Sequence, residues 1–221
     1  MVTLDYLEDG ILANTYVVGN YKYCIVIDPA QDLRNIIKLI NGRKLSAVLL
    51  THGHYDHFAS LDGLLNRMNV ATYMHKNAFI KLANKELSCA IYFGENKEIK
   101  KEDYNFKAVS DNMVIDLDGI KVKVLYTPGH TNCSVTYLID DLMFSGDTLL
   151  LGGVGRWDLP TGAKANLMLS INKLFELNQD YQLFPGHGDA STLNVEKEDS
   201  IYQKIFRWFY TISQNKNIWR H

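Results

Sequence analysis

The sequence predicts an α/β protein made of two β-sheets, each covered by helices on its outer face. Three observations carry this expectation. Short apolar runs rich in β-branched residues alternate along the chain with stretches of helical periodicity. Several of those runs end in a Gly or Pro turn followed by a polar residue, which is how α/β proteins build sites at strand carboxyl ends. The two halves also echo one another: Ile25-Val26-Ile27-Asp28 and Met143-Phe144-Ser145-Gly146-Asp147 each close an apolar strand with Asp. Many strands with interspersed and flanking helices pack as layers.

Taken in order, strands are expected at 1–7, 15–18, 23–27, 47–50, 71–74, 113–117, 121–125, 134–139, 142–144 and 181–184. Helices are expected at 32–40, 56–68, 76–83, 164–177 and 197–213. The second helix carries Phe58, Leu61, Leu65 and Met68 at helical spacing, and the fourth carries Leu167, Ile171, Leu174 and Phe175. Asp118-Gly119 between two strand patterns signals a hairpin. The charge run 97–103 reads as a solvated surface loop.

The 221 residues fit a single domain spanning 1–221, with 197–213 as a C-terminal helix. Ile201, Ile205, Trp208, Phe209 and Ile212 line one face of that helix. With 47% hydrophobic and 22% charged residues, the chain is neither a disulfide scaffold nor a disordered polymer. A net charge of −2 argues against a dedicated nucleic-acid binder. No apolar run approaches the roughly 20 residues needed to span a bilayer, so no membrane partner is expected. The N-terminal residues Asp5, Glu8 and Asp9 are unlike a signal peptide. Cys24, Cys89 and Cys133 are odd in number and lack zinc spacing, so reduced, buried thiols and a cytoplasmic location are expected.

The chemistry concentrates in five histidines. A strand pattern ending at Thr51 runs into His52-Gly53-His54-Tyr55-Asp56-His57. Others run into Pro128-Gly129-His130 and Pro185-Gly186-His187, and Asp147 ends a further strand. On extended backbone His52 and His54 project to the same side. Gly53 is expected to permit a sharp turn, and Asp56 and His57 to open the next helix, where they are redirected to an adjacent point. One segment can thus feed two metal ions, with His130 completing the first set, His187 the second, and Asp147 bridging. A lone His beside a strand is more often a hydrogen-bonded structural residue; four metal-type residues within six positions are hard to explain that way. Five imidazoles and two carboxylates suit two divalent ions, zinc foremost, with iron or manganese also accepted. Two divalent ions, two Asp and one hydroxide sum to +1, which favours an anionic substrate. His75 reads as structural or as a pocket rim. Gly152-Gly153-Val154-Gly155 has no following Lys and is not a phosphate loop.

These residues resemble a known family. Thr51-His52-Gly53-His54-Tyr55-Asp56-His57 is similar to the HxHxDH signature of the metallo-β-lactamase superfamily. Thr127-Pro128-Gly129-His130-Thr131, Ser145-Gly146-Asp147-Thr148-Leu149 and Phe184-Pro185-Gly186-His187-Gly188 match its later motifs in order. The resemblance implies an αββα sandwich with the metal site at one edge. It implies His52, His54 and His130 on one metal and Asp56, His57 and His187 on the other. It makes Asp147 the bridge and Asp56 and Asp147 the catalytic carboxylates. Asp28 resembles the family's buried Asp near the ligands.

Within the superfamily, Gly155-Arg156-Trp157-Asp158-Leu159-Pro160-Thr161-Gly162 is similar to a stretch of short glyoxalase II-like enzymes, the hydroxyacylglutathione hydrolases. The activity implied is hydrolysis of a small, anionic thioester by a metal-bridging hydroxide. Arg156 and Asp158 are expected to brace the loop after Asp147 as an ion pair. Trp157 and Asn132-Cys133 depart from the family's usual residues. About thirty residues follow His187, where longer members have a helical extension that binds glutathione. Persulfide dioxygenases, oxidoreductases with a single iron, share the same stretch and remain an alternative, as does a non-catalytic metal-binding protein. A monomer or homodimer is expected.

Overall fold

Hydrophobic alternation sorts the strands into two six-stranded mixed sheets in the computed structural model, which describes residues 2–8 and 10–199. The first holds β1 (Thr3–Leu7), β2 (Thr15–Gly19), β3 (Tyr23–Ile27), β4 (Lys44–Leu49), β5 (Ala71–His75) and β6 (Phe106–Val109), in that spatial order. β1 to β3 pair antiparallel and β3 to β6 parallel. The second holds β7 (Val114–Leu117), β8 (Ile120–Tyr126), β9 (Val135–Ile139), β10 (Leu142–Gly146), β11 (Gln182–Pro185) and β12 (Ser191–Thr192), also in chain order across the sheet. Its parallel pair is β10 with β11. Parallel neighbours need crossovers. These run through α1 (Leu33–Ile40), α2 (Leu61–Arg67), α3 (Ala78–Leu82) and α4 (Lys164–Phe175); α5 (Leu193–Asp199) follows β12.

Side-chain alternation assigns the faces. Tyr16, Val18, Ile25, Ile27, Ala47 and Leu49 point between the sheets, where they meet Val122, Val124, Tyr137, Phe144 and Phe184. Their alternates Val17, Cys24, Val26 and Val48 pack outward against Ile36, Ile40, Leu61 and Leu64 of the helices. On the second sheet, Leu125, Leu138, Met143 and Leu183 pack with Leu174 of α4. The result is the expected αββα sandwich. Burial on both faces explains why the central strands read as continuous apolar runs. Tyr137 crosses between the sheets, its hydroxyl donating to Leu50 O at 2.9 Å.

Some elements differ from the sequence reading. The helix expected at 56–68 is split into a 3-10 turn, Tyr55–His57, and α2 from Leu61. The tighter turn lets Asp56 and His57 leave the helical path of Leu61, Leu64 and Leu65. β6 and β12 were not expected. Of the four residues of β6 only Val109 is buried, and β12 has two residues, so neither carries a periodic signal. The 97–103 stretch is a surface loop as read, pinned by buried Ile99 and ending in a 3-10 turn, Lys101–Asp103. The hairpin forms at Asp118 and Gly119, with φ of 54° and 90°. Beyond Asp199, the helix expected at 197–213 lies outside the described residues. Among the described residues, no helix is long and apolar enough to cross a membrane.

Candidate metal centre

The carboxyl ends of β3, β4, β8, β10 and β11 lie at one edge of the sandwich, and each delivers a polar group there. β3 ends at Asp28, β4 runs into His52–His57, β8 into His130, β10 into Asp147 and β11 into His187. Positions 52 to 187 thus converge.

The nitrogen and oxygen atoms fall into groups able to hold a metal ion. His130 Nε2 lies 3.2 Å from His52 Nε2 and 2.9 Å from His54 Nδ1. His187 Nε2 lies 3.1 Å from Asp56 Oδ2, and His57 Nε2 lies 4.0 Å from the same oxygen. Asp147 sits between these groups. Its Oδ1 is 3.3 Å from His57 Nε2, and its Oδ2 is 3.5 Å from His130 Nε2 and 3.8 Å from His187 Nε2. His52 and His54 share one group with His130, and Asp56 and His57 share another with His187, while His52 also groups with His57 and Asp147.

Hydrogen bonds behind the rings aim them. Thr51 Oγ1 donates to Asp28 Oδ2 at 2.6 Å, which leaves it to accept from His52 Nδ1 at 3.1 Å. His130 Nδ1 donates to the main-chain oxygen of Arg156 at 2.6 Å. His57 Nδ1 donates to Asp28 Oδ2 at 2.9 Å. For His52 and His130 the proton sits on Nδ1 and the Nε2 lone pair points into the cluster, the arrangement a metal-binding imidazole needs; on His57 the same kind of bond fixes the ring with Nε2 facing Asp147.

Burial and charge set the protonation states. Burial holds His52, His54 and His130 below the ordinary imidazole range, and the neighbouring imidazoles His57 and His130 push His52 further down. These three rings are neutral donors at pH 7. Burial also opposes charge on His57, but Asp147 and Asp28 outweigh it and raise that group well above its usual value. Burial of Asp147 is outweighed by His57 and His130, which hold its carboxyl well below the usual range. Asp56 is lowered too, burial being outweighed by His187 and His57.

The donor set fits metal ions. The 2.9 and 3.2 Å separations in the first group approach the edge of a nitrogen tetrahedron with 2.0–2.1 Å metal bonds, about 3.3 Å. His57 Nε2 and Asp147 Oδ1 are buried with no hydrogen-bond partner, although they face one another. Buried polar atoms left so are costly unless a cation takes them up. Gly186 makes room: a Cβ there would overlap Asp147 Oδ1 and stand 2.6 Å from His57 Cε1.

Gly53 plays a different part from the one expected. It does not adopt a left-handed φ. It is needed because the buried Lys81 side chain lies against it, where a Cβ would stand 2.8 Å from Lys81 Cβ. Arg156 and Asp158 form a bidentate pair, both bonds 2.9 Å, with side chains 68% and 62% exposed. The contact of Arg156 with the cluster is made by its main chain, which no side-chain motif reveals. His75 stacks on Tyr126 with centroids 4.5 Å apart and accepts from Asn77 N. Cys24, Cys89 and Cys133 are buried and unpaired. Sequence reasoning missed Thr51, whose position beside His52 was the available signal.

An αββα sandwich with a His and Asp cluster at its strand ends defines a metal-site α/β protein. The chain belongs to the metallo-β-lactamase superfamily, whose pattern matches residues 9–187. Members of this superfamily are generally hydrolytic enzymes. The chain is 31% identical over 202 residues to the probable metallo-hydrolase YqgX of Bacillus subtilis, covering 89% of this chain and 94% of that protein. It is 32% identical over 189 residues to the hydroxyacylglutathione hydrolase GloC of Haemophilus influenzae, covering 82% and 87%. Among solved structures it is similar to the BLEG-1 B3 metallo-β-lactamase (TM-score 0.82, 26% identity, 91% of this chain and 99% of that one). It is also similar to TTHA1623 in a di-iron-bound form (TM-score 0.78, 26% identity, 90% and 99%).

Proposed function

We propose that this protein is a metal-dependent thioester hydrolase of the hydroxyacyl-glutathione type that uses two divalent ions. The observation that carries the reading is the cluster of five imidazoles and two carboxylates in adjoining groups, buried except for partly exposed Asp56 and His187. The similarity to GloC supports the thioester class. In this reading His52, His54 and His130 hold one ion, Asp56, His57 and His187 the other, and Asp147 reaches both. Zinc suits the nitrogen and oxygen donors; iron and manganese also accept them, and TTHA1623 is a similar protein in a di-iron-bound form.

Bound there, two divalent ions supply a water acidified to neutral pH and a Lewis acid for the thioester carbonyl. The chain does the rest. Asp28 keeps the His57 ring turned toward the cluster, and Thr51 and the Arg156 main chain do the same for His52 and His130. Asp56 and Asp147 are the catalytic carboxylates: ionised, they would offset half of the charge of two divalent ions, and with one hydroxide the remaining single positive charge would favour an anionic substrate. Arg156 and Asp158 brace the loop after Asp147. We further propose one domain over 1–221, acting in the cytoplasm as a monomer or homodimer.

The test is elemental analysis of the purified protein followed by a thioester panel that includes S-lactoylglutathione. Two ions per chain and thioester turnover, abolished in a folded His54→Ala variant, are expected. One iron per chain with oxygen uptake on a persulfide would replace this reading by the single-iron oxidoreductase. No metal above background would leave a non-catalytic protein.

A further inference from the structure

We infer that residues 13–16, at the start of β2, form a clamp that assembles the second metal position, Asp56, His57 and His187; the inference rests on the two-ion reading above. Each of the four residues grips a piece of chain that carries or orients one of those donors. Ala13 N donates to Asp56 O at 3.0 Å. Asn14 N donates to Gly186 O at 2.7 Å, next to His187. Thr15 Oγ1 donates at 2.7 Å to the main-chain oxygen of Asp28, whose carboxylate holds His57. Tyr16 OH donates to Pro185 O at 2.6 Å.

The Asn14 side chain completes the device. Its amide nitrogen lies 2.9 Å from Gly188 O, 3.2 Å from Pro185 O and 3.1 Å from Tyr16 OH. Main chain on both sides of His187 is therefore tied to one buried amide and one buried phenol. Asn14 and Tyr16 are each only 3% exposed. A polar pair this deep is stable only while its bonds are made, so it specifies one position for the turn it holds. That turn carries His187, whose Nε2 must lie 3.1 Å from an oxygen of Asp56, 131 positions away. The first group shares only Asp28 with the clamp, through Thr51 and His52, and neither Asn14 nor Tyr16 bonds to chain that carries its donors; His130 is held by the Arg156 main chain. Asn14 and Tyr16 are thus positioning residues for one ion of the pair.

The test is metal binding by the whole protein. Chelator-stripped wild type and the Asn14→Leu and Tyr16→Phe variants are titrated with zinc in competition with a chelator. Bound zinc is counted by elemental analysis, and folding is checked by circular dichroism. Asn14→Leu keeps the side-chain size but removes the donors; Tyr16→Phe keeps the ring in the core and removes one hydroxyl. Both variants should keep one ion at wild-type affinity and weaken the other, by tenfold or more for Asn14→Leu and by less for Tyr16→Phe. Their binding pattern should match His187→Ala and not His54→Ala. Folded variants that keep both ions at wild-type affinity, or that weaken both equally, would overturn the clamp. So would variants that both fail to fold, since a device acting on one turn leaves the sheets intact. A wild-type chain that takes up fewer than two ions would instead overturn the two-ion reading, and the clamp with it.

Discussion

The carboxylate of Asp28 holds the His57 imidazole at 2.9 Å while accepting from Thr51 N at 2.8 Å and Thr51 Oγ1 at 2.6 Å. One side chain at the end of β3 thereby joins both candidate metal groups, through His57 on one side and through Thr51 and His52 on the other. Asp28 has a φ of 49°, a backbone conformation uncommon for a residue with a Cβ, and it is 2% exposed.

Asp28→Ala removes the acceptor of all three bonds. Metal affinity should fall by about 10–100-fold, as when other outer partners of ligating histidines are lost. Stability should fall by about 1–3 kcal/mol for each buried donor left unpaired. Zinc titration and urea denaturation check the two effects separately.

Gly186→Ala forces a methyl group against Asp147 Oδ1 and His57 Cε1. Overpacking of this kind costs about 1–3 kcal/mol. The variant should fold, yet bind metal weakly and lose turnover, because the displaced atoms belong to the cluster. Elemental analysis beside a thermal melt checks this; full metal content with normal turnover would contradict it.

The metal-free protein should be most stable near pH 6.5. His52, His54 and His130 have lowered folded values, so below about 6.5 the unfolded chain takes up protons that the folded one refuses. Stability from those rings is lost as the pH falls. His57 is raised, so its contribution is fully present below about 6.5 and lost as the pH rises through its folded value. Urea denaturation in chelator from pH 5 to 9 should show a maximum; a steady rise across that window would contradict the assignment.

Arg156→Ala should leave stability close to that of the wild type, because solvent screens an ion pair this exposed. Metal content should stay as in the wild type, because the bond to His130 comes from the main chain at position 156. Thermal melts and elemental analysis of the variant check both statements. A lost ion would mean that the side chain, and not only the backbone, supports the cluster.

Much of the sandwich was legible because its central strands are buried on both faces. Ile25-Val26-Ile27 and Ala47-Val48-Leu49 place successive side chains in different cores, and such runs announce themselves. β6 was not legible, since only Val109 of its four residues is buried, and β12 is too short for a period. The break between Tyr55–His57 and α2 was hidden because Phe58, Leu61 and Leu65 keep helical spacing across it.

By itself the sequence determined which residue types stand at the ends of which strands: three histidines and an aspartate within six positions, and His130, Asp147 and His187 each after an apolar run. Strand alternation and turn chemistry act over a few residues, so a linear reading reaches them. Only the tertiary structure decided which ring nitrogen faces inward, why Gly53 and Gly186 are bare, and that Asn14 and Tyr16 reach the turn of His187. Those outcomes depend on bonds between residues as many as 174 positions apart, and the direction of a hydrogen bond across such a span exists only once the two sheets have packed.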